Sequence, residues 1–130
     1  MNIPTDLKYT ENDEWIRVEG SIATIGITDY AQDQLSDVVF VEIIAEPDTA
    51  LAAGDACAEV ESVKAAAEVY SPVGGTIVEI NEDLLDAPEM VNSDPYGEAW
   101  MVKIELTDAD QVEALLDAAA YEAHCEERSA

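Results

Sequence analysis

Few residues in this chain could do chemistry. His124 is the only histidine, and Cys57 and Cys125 are the only thiols. A lone histidine cannot build a zinc site of several histidines, and no Ser–His pair stands out. Its place near the end of a helical stretch suits a dipole-complementing cap better than catalysis. Two cysteines are no disulfide framework, and each reads as a small, buried or half-buried residue. No phosphate loop, dinucleotide fingerprint or paired-cysteine metal motif occurs. The carboxylates number 30, but no spacing singles out a general acid–base pair, so they read as solvated surface.

Lys64 differs from these. It is one of three lysines, with Lys8 and Lys103, and lies in Glu61-Ser62-Val63-Lys64-Ala65 between two strand-like runs. A self-activated amine needs desolvation or a neighbouring cation to lower its pKa. Here Glu59, Glu61 and Glu68 are close in sequence, and nearby anions favour the protonated form. Lys64 is therefore no nucleophile of its own, although a separate enzyme could acylate it. An ordinary surface lysine in an ion pair is the plain alternative. The segment lacks the Asn-Gly or Asp-Gly signal of a two-residue hairpin, so spacing alone does not put Lys64 at a tip.

The elements that must position it are mostly strands. Trp15–Glu19 and Ile22–Ile27 flank Glu19-Gly20-Ser21 and read as a hairpin, with Ile22, Thr24 and Gly26 on one face. Thr28-Asp29 can cap a short helix over Tyr30–Leu35. Val38–Ile44, dense in β-branched and aromatic residues, is expected to be a well-buried strand. Strands are also expected over Cys57–Val63, Ala65–Tyr70, Thr76–Ile80 and Trp100–Leu106. The stretch from Asn81 to Pro95 is a long connection with a short helical chance at Ala87–Val91. Val112, Leu115, Leu116, Ala119 and Ala123 keep amphipathic spacing, which predicts a C-terminal helix over about 108–127, started by Thr107 and Asp108. Gly20–Ile25 faintly echoes Gly75–Ile80. About seven strands with turns between them, plus a C-terminal helix, indicate a small β-sandwich or barrel with helical additions.

Composition limits the partners. One domain over 1–130 fits the length. The net charge of -25 leaves little with which to neutralise phosphates, which excludes nucleic acid and disfavours an anionic membrane. Met1–Thr10 has neither the basic nor the apolar part of a secretory signal, and no apolar run reaches bilayer length. A cytoplasmic protein is expected. Self-repulsion on this scale destabilises a compact state unless salt screens it, which points to a salt-rich host.

Around Lys64 the sequence resembles glycine cleavage system H proteins. Glu61-Ser62-Val63-Lys64-Ala65, followed by Tyr70-Ser71-Pro72 and Gly75, is similar to the family's lipoylation motif. Similarity extends over nearly the whole chain: Leu7–Thr10, Glu14-Trp15-Ile16, Gly26–Gln32, Val78–Asn81, Ala87-Pro88-Glu89, Val91-Asn92, Asp94–Gly97, Trp100 and Leu115 to Tyr121 follow in order. The resemblance implies a lipoyl-domain-like β-sandwich, or flattened barrel, with a short helix in the N-terminal half and a C-terminal helix. It implies lipoate on Lys64 at an exposed hairpin turn, with Glu61, Ser62, Val63 and Ala65 as recognition motif. The implied role is carriage rather than catalysis. Glycine decarboxylase, using PLP, loads an aminomethyl group. Aminomethyltransferase passes its one-carbon unit to tetrahydrofolate, and dihydrolipoamide dehydrogenase reoxidises the arm. A lipoate ligase or a lipoyl/octanoyl transferase would attach it, and the carrier is expected to be a monomer. Family members shelter the loaded arm in a cleft, for which Glu14, Asn12 and Glu68 are the matching candidates here. The sequence departs at Asp13, where a His is usual, and at Ser36, where a Gly is usual. Biotinyl domains flank their lysine with methionines, and lipoyl domains of 2-oxoacid dehydrogenases typically show Asp-Lys-Ala. A lipoyl relay serving another complex remains the alternative.

Overall fold

A computed structural model describes residues 2–129. Two antiparallel sheets face each other. The larger has six strands in the order β1 (Lys8–Tyr9), β2 (Glu14–Glu19), β3 (Ile22–Ile27), β9 (Val102–Leu106), β8 (Gly75–Ile80) and β5 (Ala50–Leu51). The smaller has three in the order β4 (Val38–Ile43), β6 (Ala56–Ser62) and β7 (Ala66–Tyr70). Neither sheet closes, so of the sandwich and the barrel that the strand pattern allows, the sandwich forms. The two echoing segments supply β3 and β8, which flank β9 on either side.

Strand alternation builds the core between the sheets. Ile16, Ala23, Ile25, Ile77, Val102 and Ile104 from one sheet pack with Val41, Ala58, Val60 and Val69 from the other. Each fully buried Val or Ile is worth about 1.5–3 kcal/mol relative to exposure. On β3 the inward set is Ala23, Ile25 and Ile27; Gly26 leaves room for the Trp15 indole, whose nearest atom would lie 2.7 Å from an added Cβ. Trp15 looks the other way, into a second cluster with Leu7, Tyr9, Tyr30, Tyr96, Tyr121 and Cys125.

Among the described residues, five helices decorate the sheets. α1 (Asp29–Leu35) begins as expected, Thr28 Oγ1 accepting the Ala31 N–H at 3.2 Å. The long connection folds as two single turns, α2 (Asp83–Asp86) and α3 (Met90–Ser93), rather than one over Ala87–Val91. Asn92 ties it back to the strand entry: its carbonyl accepts the Val38 N–H and its amide donates to the Ser36 carbonyl.

Three expectations need correction. β4 is only half-buried, with Val39 55% and Phe40 47% exposed, because one face of the small sheet carries no covering layer. The C-terminal helix is not continuous over 108–127: it splits into α4 (Asp110–Glu113) and α5 (Ala118–Ser129). Leu116 between them exchanges both backbone hydrogen bonds with Tyr9; Asp108 accepts the Asp110 N–H at 3.0 Å at the start of α4, and Asp117 caps α5 by accepting the Ala120 N–H at 2.8 Å. The break resets the helical phase, so Ala119 and Ala123 are exposed and Tyr121 and Cys125 face inward. The strand count also rises from about seven to nine, since two-residue β1 and β5 are too short to leave a periodic signal.

Candidate functional site

β6 and β7 form a hairpin in register Glu61↔Ala66, Val60↔Ala67 and Glu59↔Glu68, and Lys64 lies in the connecting turn. Ser62 builds this turn. Its N–H donates to the Ala65 carbonyl at 2.7 Å, and its hydroxyl accepts from the N–H groups of Lys64 and Ala65. Serine's short hydroxyl does here what Asn-Gly does in a tighter hairpin, and this is why the usual turn signal is missing. The Val63 N–H donates to the Asp37 carbonyl at 3.1 Å, anchoring the tip to the start of β4. Val63 and Lys64 are exposed. Among the described residues the ion pairs are Lys103–Glu79 and Arg128–Asp13. Lys64 is in neither, so the surface-ion-pair alternative lacks its partner.

The open face of the small sheet runs from this tip. Glu42, Glu59 and Glu68 stand opposite one another across all three strands, and Phe40, Glu61 and Ala66 form the next rung. Like charges directly opposed on neighbouring strands are destabilising.

The cleft candidates separate into two environments. Asn12 and Glu68 line a cavity of about 180 Å³, together with Asp13, Ala31, Gln34 and Leu35 among others. Glu14 is not part of that lining. It is 2% exposed, accepting the Thr10 hydroxyl at 2.6 Å and the Tyr70 N–H at 3.1 Å. Burial pushes its pKa above the usual carboxylate value, while those two hydrogen bonds pull it down. The family resemblance offers Glu14 as a cleft carboxylate, and the β2 strand it begins turns it inward.

Sequence reasoning gives no role to several residues that shape this region. Thr10 and Tyr121 lie in segments that carry the family resemblance, Gln34 and Arg128 lie in none, and Asp13 stands out only as a departure from the family. Asp13 has a positive φ of 71° and receives both guanidinium nitrogens of Arg128, at 2.6 and 2.9 Å. His124 Nε2 lies 3.1 Å from the Glu11 carbonyl, tethering the same loop. Cys57 is fully buried and its thiol is pushed up to about 12 by desolvation, which keeps it inert. No group of three or more metal-binding side chains occurs among the described residues.

The family profile described as glycine cleavage H-protein matches residues 7–128. The chain belongs to this family. The glycine cleavage system H protein of Pseudoalteromonas atlantica is 54% identical over 129 residues, covering 97% of this chain and 98% of the relative. The namesake from Staphylococcus epidermidis is 52% identical over 121 residues, covering 93% and 95%. The crystal structure of a glycine cleavage system H protein from Mycobacterium marinum superposes with a TM-score of 0.83 at 34% identity, covering 98% of this chain and 100% of that one. The H-protein architecture thus accounts for the two open sheets and the appended helices. No described helix is long and apolar enough to cross a membrane.

Proposed function

We propose that this H protein is a lipoyl carrier, not an enzyme, whose arm is attached at Lys64 and whose residues 1–130 act as one carrier domain. The observation that carries this reading is the exposed Lys64 on a turn held from both sides, by Ser62 within and by Asp37 beneath. A rigid tip bearing an unpaired amine is what an attaching enzyme needs, since the amine itself is not activated. Glu61, Ser62, Val63 and Ala65 form the recognition surface around it. Bound there, lipoate would supply a disulfide able to take up an aminomethyl group and carry reducing equivalents.

The chain's own contribution is position and shelter. A tethered group on a rigid hairpin has a high effective concentration at each partner site. The partners in this reading are glycine decarboxylase, aminomethyltransferase and dihydrolipoamide dehydrogenase, with a lipoate ligase or lipoyl/octanoyl transferase attaching the arm. The one-carbon unit of glycine would pass through a cytoplasmic, monomeric carrier. Asn12 and Glu68 at the cavity offer polar contacts to a cationic amine, and Glu14 holds the Tyr70 N–H next to the Val69 wall. A partner surface complementary to so acidic a carrier would be basic, and salt would screen the steering between them.

Intact mass of the protein from its native host, followed by peptide mapping, tests the central claim. A lipoyl-sized increment on Lys64, absent in Lys64→Arg, is expected. An unmodified Lys64 that a lipoate ligase also refuses in vitro would overturn it.

A further inference from the structure

The cavity beside the hairpin has two walls on one side: the 11–13 loop, carrying Asn12 and Asp13, and α1, carrying Ala31, Gln34 and Leu35. Both walls are gripped by the same two side chains of α5. The Tyr121 hydroxyl donates to Asp13 Oδ1 at 2.8 Å. It lies 2.6 Å from Thr28 Oγ1, the hydroxyl that caps α1. Because the single phenolic proton goes to Asp13, the Thr28 hydroxyl must be the donor in that second contact. The result is one directed chain: Ala31 N–H to Thr28, Thr28 to Tyr121, Tyr121 to the Asp13 carboxylate. Arg128 closes the far end. Its guanidinium forks onto Asp13 and sits 4.3 Å from the centre of the Tyr30 ring, on α1. The backbone repeats the link once, the Thr28 N–H donating to the Asp13 carbonyl at 3.0 Å.

Each of these side chains therefore bridges loop and helix, and neither lines the cavity itself. We propose that Tyr121 and Arg128 are positioning residues that hold the two cavity walls at a fixed separation, acting through Asp13, Thr28 and Tyr30. The inference rests on the reading of this cavity as the shelter of the loaded arm. A shelter of about 180 Å³ excludes water only if its walls do not part. A hydrogen-bond chain with every member satisfied is stiffer than its separate links. Asp13 is central because it alone receives both α5 side chains, and its left-handed backbone turns its carboxylate to meet them.

Tyr121→Phe removes one hydroxyl and keeps the ring stacked on Tyr9, where the centroids are 4.7 Å apart. Arg128→Gln removes the fork, and Arg128→Lys keeps the charge without the bidentate geometry. Amide hydrogen exchange is measured first, on unlipoylated protein. Both Tyr121→Phe and Arg128→Gln are expected to speed exchange in residues 11–13 and in 31–35 together, with Arg128→Lys in between. Faster exchange in α5 alone, with both walls unchanged, would overturn the proposal. The second measurement follows hydrolysis of the aminomethyl cargo on loaded, lipoylated protein, in which water replaces the C–S bond, formaldehyde and ammonia leave and the arm's free thiol is restored. Both variants are expected to lose the cargo about threefold faster or more, the double variant little faster than either. Walls that loosen together while the cargo keeps its wild-type lifetime would overturn the sheltering role but not the carrier reading. A wild-type protein that no ligase will lipoylate would sink the carrier reading, and the sheltering role with it.

Discussion

Glu14 is a carboxyl that the fold buries at a cost. Its carboxyl is buried, and desolvation raises its pKa despite help from Thr10 and Tyr70. A raised pKa means that folding favours the protonated form: stability from this group is fully present below the unfolded value near 4.5 and is lost as pH climbs through the folded value. Glu14→Gln keeps an acceptor for Tyr70 and can donate to Thr10. At neutral pH its melting temperature should equal or exceed the wild type, and any advantage should vanish as pH falls towards 4.5. Because Glu14 lies outside the cavity lining and the variant keeps both contacts, the loaded arm should hydrolyse at the wild-type rate; faster hydrolysis would return Glu14 to the shelter. Ser36 gives a cleaner test. It ends α1 at φ 65°, ψ -148°, a region nearly reserved for glycine, where a side chain costs about 1–3 kcal/mol. The Asn92 amide that holds its carbonyl keeps it there. Ser36→Gly should therefore stabilise the protein by about 1 kcal/mol, read from denaturant midpoints at constant slope.

Among the elements, the hairpin that presents Lys64 also carries directly opposed like charges. Glu42, Glu59 and Glu68 face one another on adjacent strands, and the middle one feels both neighbours. Glu59→Gln should raise stability in dilute buffer by about 0.5–1 kcal/mol, and the gain should fade in molar salt. Equal gains in both would mean that something other than charge is relieved. At the other sheet, Gly75 is packed where an added Cβ would collide with the Glu105 carbonyl oxygen of β9. Gly75→Ala cannot be absorbed by a side-chain shift, so it should unfold the domain or cost several kcal/mol, near the upper end for point substitutions. These positions also show what the sequence could reveal. Alternation identified the longer strands because each buries one face, and Thr28 marked its helix because capping is local. Two-residue strands, the Tyr9–Leu116 backbone pairing and the phase of α5 could not be read, since each depends on a partner more than a hundred residues away or on too few residues to show a period. The site divides the same way. Lys64 and its motif are contiguous in sequence, whereas the cavity walls assemble from Asn12, α1 and β7, and their grip from α5.

For the molecule as a whole the charge decides. Thirty acids and five bases sit on a body with a radius of gyration of about 14 Å. At 0.1 M salt the Debye length is about 10 Å, so carboxylates interact across much of that body; at 1 M it is about 3 Å and they do not. Ion pairing offers little relief, since five bases cannot pair 30 acids, and the pairs among the described residues are Lys103–Glu79 and Arg128–Asp13. Attaching an acyl group to Lys64 would remove one more positive charge. We expect the melting temperature to rise by at least about 10 °C between dilute buffer and molar KCl, since each kcal/mol relieved moves a chain of this size by about 3–6 °C. A rise could also come from salt strengthening apolar burial, and pH separates the two. Near the sequence pI of about 4.1 the acids and bases balance and the repulsion is gone. Screening then has nothing to act on, so the salt dependence should collapse at that pH while a burial effect would persist. A melting temperature that climbs equally with KCl at pH 7 and at pH 4.1 would show that charge repulsion does not set the stability of this protein, and would remove the argument for a salt-rich host.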